Sequence, residues 1–219
     1  MKREKLPSRK KRALRRSAVA VLILFCINFF MHIGLLFPIQ AIWQLQERGA
    51  TGWTRVVTRD WAPEIHKTHL VYLTENENAT LLGSTYLTVY GWIPCFGNVL
   101  DCSGNEPLYA GAFYMHSDED RVWYFFGRVD NPDIKTLTIS VQADVIDQNS
   151  QASGRREIRR LTTTEFQEKN GHRYFLVRDD GTWDYEKDYS PRPVVIGYND
   201  AGNEVTQADI TQGSSSYFG

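Results

Sequence analysis

Alternation of apolar and polar residues is clearest between Ile134 and Ile146. Leu137, Ile139, Val141, Ala143 and Val145 fall on one face, and Thr136, Thr138, Ser140, Gln142 and Asp144 on the other. A period of two with one apolar face predicts a strand packed on a core on one side. His69–Thr74 and Thr80–Trp92 flank the turn-like run Glu75–Asn78 and predict a strand pair. Leu108–Met115 and Arg121–Val129 are aromatic, β-favouring runs around the polar segment His116–Asp120, which predicts a hairpin. Asp130–Asp133 has turn composition.

Arg155–Phe166 carries two signals. Thr162 with Glu165 mimics a helix capping box, whereas three consecutive threonines favour a strand. Asn170-Gly171 then predicts a tight turn before the strand Arg173–Arg178. Pro193–Tyr198 and Asn203–Thr206, joined by Asn199–Gly202, predict a last hairpin. Roughly eight to ten short strands and no long amphipathic helix point to an all-β class, a sandwich or a partly closed barrel.

Ahead of the strands lies a run of another kind. Ser17–Phe37 is 21 residues without a formal charge. As a helix it would be roughly 31 Å long, close to the ~30 Å hydrocarbon core of a bilayer. It exceeds the ~7–15 residues of a signal-peptide apolar region and lacks a convincing cleavage site. The expectation is one N-terminal transmembrane helix over 17–43 in contact with the lipid bilayer, retained as a signal-anchor. Charge supports this. The chain has 25 Lys plus Arg and 26 Asp plus Glu, but residues 1–16 carry +8 and the remainder −9. A basic block before a span predicts a cytoplasmic N-terminus and an extracytoplasmic domain at the cell membrane. The division expected is a basic segment 1–16, an anchor 17–43, a juxtamembrane connector 44–67, a β domain 68–211 and a flexible tail 212–219. Asn28 and His32, at i and i+4, would share a face within the span and could contact a partner helix.

Of the three cysteines, Cys26 lies in the apolar run, while Cys95 and Cys102 flank Phe-Gly-Asn-Val-Leu-Asp. In an oxidising compartment, Gly97 and Asn98 between them suggest a loop closed by a disulfide. The spacing is not C-x-x-C, and a tetrahedral metal site lacks further cysteines. His66 and His69, and His116 and His172 in predicted turns, show no spacing that makes their rings converge. Asp118-Glu119-Asp120 lacks the pattern of a calcium loop and reads as a solvated turn. No cofactor or metal is expected. The motifs of serine hydrolases, zinc proteases, dinucleotide-binding folds and P-loops are missing. The acidic balance after residue 16 gives no reason to expect nucleic acid.

Aromatic residues are more informative. Trp53, Trp61, Trp92, Trp123 and Trp183 are many for one domain, and most belong in a core. Tyr90, Trp92 and Ile93, beside Gly91 and Pro94, form a candidate recognition surface for sugar rings, peptides or a protein partner.

Two stretches carry a resemblance. Phe126–Lys135 (FGRVDNPDIK), which precedes the alternating strand, and Ile196–Val205 (IGYNDAGNEV) are similar to segments of uncharacterised single-pass membrane-anchored proteins of Gram-positive bacilli. The likeness covers roughly the last 100 residues and rests on turn chemistry. It implies an extracytoplasmic β domain and transfers no catalytic residue. The function expected is a non-enzymatic binding or sensing module at the cell surface. One alternative is an anchored enzyme acting on an envelope polymer, with Asp118, Glu119 or Asp179 as acids. Another is an accessory subunit docked to a membrane-protein partner through Asn28 and His32.

Overall fold

A computed structural model of the chain describes residues 8–31, 35–49, 51–65, 67–116, 121–146, 152–180 and 192–212. Helix α1 spans Ser8–Met31 and helix α2 Pro38–Arg48. Pro38 suits the first turn of α2, where its missing N–H is not needed. The Gln40 side chain accepts from the Phe37 N–H at 3.1 Å, and the Gly49 N–H closes the other end on the Leu45 carbonyl at 2.8 Å. Ile42 and Leu45 of α2 pack on Tyr72 and Leu81.

Among the described residues, thirteen strands follow in three sheets. The first is an antiparallel meander of β1 (Arg55–Trp61), β2 (Leu70–Glu75), β3 (Ala79–Thr88) and β4 (Gly91–Asp101). The second has the order β13 (Thr211–Gln212), β5 (Leu108–His116), β6 (Arg121–Val129), β10 (His172–Asp179), β9 (Gln167–Lys169). The third has the order β12 (Glu204–Asp209), β11 (Arg192–Tyr198), β7 (Thr136–Ile146), β8 (Ala152–Thr163). All described pairings are antiparallel except β13 with β5.

The second sheet is covered on both faces. Ala110, Ala112, Trp123, Phe125 and Phe175 meet Leu137, Ile139, Val141 and Val195 of the third sheet. Phe113, Met115, Val122, Tyr124, Phe126 and Tyr174 meet Val71, Leu73 and Leu82 of the first. Odd and even positions of β6 thus enter different cores, which is why it reads as an unbroken apolar run rather than an alternation. Each large side chain buried this way contributes about 1.5–3 kcal/mol. The layers run α2, first sheet, second sheet, third sheet.

Polar side chains also tie the first two sheets together. Tyr124 Oη donates to Asp60 Oδ2 at 2.6 Å, and Arg178 contacts Asp60 at 3.4 Å and Glu64 and Asp180 at 2.5 Å each. Burial, followed by the hydrogen bond to Asp60, pushes the Tyr124 hydroxyl pKa well up.

The all-β class holds, with a third sheet added to a sandwich. The membrane anchor does not hold. No helix among the described residues is long and apolar enough to cross a membrane. Helix α1 spends its first turns on Lys10, Lys11, Arg12, Arg15 and Arg16, and its uncharged part ends at Met31. That part, Ser17–Met31, is about 22 Å long, short of the ~30 Å required. Farther on, Leu35 pairs with Trp92 through two backbone hydrogen bonds of 3.0 and 2.8 Å. Ile42 and Leu45, 0% and 2% exposed, are core residues of the domain. Residues 17–43, expected as one span, are therefore divided between an exposed helix and the start of a core helix. The signal-anchor over 17–43, the cell-membrane placement and the extracytoplasmic assignment built on it are all overturned. The connector expected over 44–67 contains the end of α2 and all of β1.

The disulfide is overturned as well: Cys95 and Cys102 are both free. The loop expected between them is strand β4, in which Gly97 pairs with Gly83 and Asn98 with Leu82. Seven residues of extended chain hold the two Cα atoms roughly 23 Å apart, far beyond the ~7 Å limit for a bridge.

Candidate ligand-binding cleft

Four pieces of chain meet where the first and second sheets share an end. They are the β2–β3 turn, the start of β1, the β9–β10 turn and the end of β6. Glu75 closes β2 and is 1% exposed. Its two carboxylate oxygens accept from Asn170 Nδ2 at 2.6 Å and from Tyr174 Oη at 3.1 Å. Asn170 Oδ1 accepts from Arg55 Nη1 at 3.3 Å. Asn170 and Gly171 have φ of 50° and 83°, the left-handed pair a tight hairpin requires. The turn thus places the Asn170 amide between a cation and a buried anion.

Arg128, at the end of β6, is 3% exposed. Its guanidinium donates to the Glu77 carbonyl at 2.9 Å, the Cys102 carbonyl at 2.8 Å and Asp130 Oδ2 at 3.0 Å. It also lies over the Tyr109 ring at 4.8 Å. Burial, the largest single effect, would lower its pKa, but the hydrogen bond to Asp130 and the electrostatic influence of Cys102, Asp130 and Tyr109 together raise it. The other oxygen of Asp130 lies 2.8 Å from His172 Nδ1. A carboxylate on Nδ1 favours the tautomer that leaves Nε2 as an acceptor. Burial, followed by the charge of Glu75, pushes the Tyr174 hydroxyl pKa well up, so it stays a donor.

Of these groups, Arg55, Glu75, Asn170 and His172 line a cleft of about 710 Å³, together with Trp53 and the turn residues Asn76, Glu77 and Asn78. Asn76 shapes one wall: its Oδ1 accepts from the Asn78 and Ala79 N–H groups at 2.9 and 2.8 Å. Trp53, 77% exposed, stands at the rim, its ring centroid 5.4 Å from that of Trp43. The arrangement offers amide, guanidinium, carboxylate and imidazole groups beside an exposed aromatic face. Among the described residues, no group of three or more His, Cys, Asp or Glu side chains is placed to hold a metal ion.

The residues singled out from the sequence lie elsewhere. Tyr90 is 66% exposed at the β3–β4 hairpin tip. Trp92 is half-buried, its backbone occupied by Leu35, and the Ile93 carbonyl accepts from Thr85 Oγ1 at 2.7 Å. None of the three lines a cleft described here. Cys95 and Cys102 are in or next to β4. Burial pushes the Cys95 thiol up to about 12 and raises that of Cys102. The Asn28 side chain, His32, His66, the His116 side chain and Asp118, Glu119 and Asp120 lie outside the described residues. His69 is buried beside Tyr86. Asp179 is buried, accepting from Arg159 at 2.8 and 3.2 Å.

Sequence reading missed Glu75, Asn170 and the Asp130–His172 pair as a group. Each sits in a stretch whose turn composition already accounted for it. One signal was there: polar residues crowd around three separate turns, 75–78, 130–133 and 170–172. Comparison with protein-family models, curated proteins and solved structures found no match. The resemblance at 126–135 and 196–205 stands on those turn residues alone.

Proposed function

We propose that the chain is a binding module, an extended β-sandwich whose cleft between the first and second sheets takes a hydroxyl-rich ligand with an apolar ring face, that is, a saccharide. The observation that carries this is the exposed Trp53 beside the fixed polar set Arg55, Asn170 and His172. A pyranose presents C–H groups on its face and hydroxyls around its edge. An exposed indole suits the first, and side chains already held by internal partners suit the second at little ordering cost. The volume falls in the ~300–1,000 Å³ range of small-molecule sites.

The test is titration of the full chain with a panel of neutral saccharides, followed by tryptophan fluorescence and calorimetry. Binding with a fluorescence change is expected, lost in Trp53→Ala and weakened about tenfold in Asn170→Ala. Binding undisturbed by both substitutions would place the ligand elsewhere and refute the assignment.

A further inference from the structure

We propose, building on the saccharide reading, that the site is a groove of three consecutive subsites and takes a chain of linked rings rather than one ring. The polar cleft shares a wall with a neighbour at each end. Trp53 also lines a cleft of about 210 Å³ together with Trp43, Gln46 and Glu47. Asn170 and His172 also line a cleft of about 440 Å³ that continues to Lys169, Pro132 and Asp130. The order along the surface is therefore the Trp43 end, Trp53, the polar centre, Asn170 with His172, and the Pro132 end. The shared residues are the exposed ring and the two groups pinned by Glu75 and Asp130. They form the junctions between subsites, where one ligand ring would give way to the next.

The three stations differ in chemistry. The Trp43–Trp53 station is walled by two indoles and suits a ring face. The centre offers the amide, carboxylate and guanidinium groups that read hydroxyls at a ring edge. The far station adds Lys169, Glu168 and Arg173. A single ring fills one station only. A short chain engages all three, and each further unit binds with its neighbour already held in place.

Calorimetric titration of the full chain with cello-, chito- and malto-oligosaccharides of one to six units tests this. In the series that binds, affinity should rise at least tenfold from one unit to three and level off beyond about four. Trp43→Ala should cost the three-unit ligand about tenfold more affinity than it costs the one-unit ligand. Lys169→Ala, at the opposite end, should do the same to a smaller extent. Equal affinity for one and three units would overturn the groove and leave the single-ring site standing. No heat with any saccharide of any length would overturn both.

Discussion

Arg128→Met is the most demanding test of the architecture. Arg128 belongs to the second sheet, yet it holds the carbonyls of Glu77 and Cys102, which flank the first. Methionine has similar volume but cannot donate, so both carbonyls and one oxygen of Asp130 lose their partner. Removing one member of a buried ion pair costs about 3–5 kcal/mol. The Asp130 side chain is 25% exposed and can recover water, which places the expected loss near the low end, about 3 kcal/mol. With a urea slope of about 1–3 kcal/mol/M, the unfolding midpoint should fall by roughly 1–3 M with the slope unchanged. Arg128→Lys keeps the charge without the fork and should lose less. Because Arg128 also fixes Asp130, and Asp130 fixes His172, saccharide binding should weaken in Arg128→Met under conditions where the variant is fully folded. A midpoint within about 0.3 M of the parent would show that the guanidinium does not clamp the two sheets.

The thiols give a second check: intact mass should be the same with and without reductant, and native Cys102 should resist alkylation at pH 8, whereas an unreactive Cys95–Cys102 pair after unfolding would contradict the free thiols. The Cys95 thiol, raised from 9.0 to about 12 by burial, holds its proton in the folded state over a range where the unfolded chain has lost it. Its contribution to stability is therefore complete below pH 9.0 and is lost as pH climbs to about 12, so urea midpoints over that range should fall less steeply in Cys95→Ala than in the parent. Gly127→Ala would put a methyl carbon 1.9 Å from the Tyr109 carbonyl oxygen and 2.7 Å from the Phe175 ring. A loss of about 3 kcal/mol or more is expected by thermal melt, and a loss under about 1 kcal/mol would contradict the packing of β5 against β6.

Legibility from sequence followed locality. Strand β7 showed itself because only one of its faces meets a core, leaving a clean alternation. Strands β5 and β6 were recognisable as strands, but which residue enters which core depends on the sheets stacked above and below, and no local pattern encodes that. The span expected over 17–43 misled because hydropathy does not distinguish a lipid-facing side chain from Ala41 or Ile42 buried in the domain. Pro38 could have marked the break. The cysteine pair misled because Gly97 and Asn98 signal a loop by composition while pairing as strand residues. The cleft escaped notice for a plainer reason: Glu75 and Asn170 are 95 residues apart, and each had a sufficient local explanation.

The route of the chain through its layers has a bearing on how it is made. The first sheet is one unbroken stretch, Arg55–Asp101. The other two are interleaved: β5 and β6 enter the second sheet, β7 and β8 the third, β9 and β10 the second, β11 and β12 the third, and β13 returns to the second. On the ribosome, the opening meander can pair its strands as they emerge, but the apolar face it buries on the second sheet is covered only as β5 and β6 follow, and the cover is completed by Tyr174 of β10. The remaining two sheets can finish only together, once Gln212 has been synthesised. Non-local pairing of this kind slows folding and prolongs exposure of unpaired strands. Nascent chains arrested between residues 101 and 172 should be the ones most dependent on chaperones.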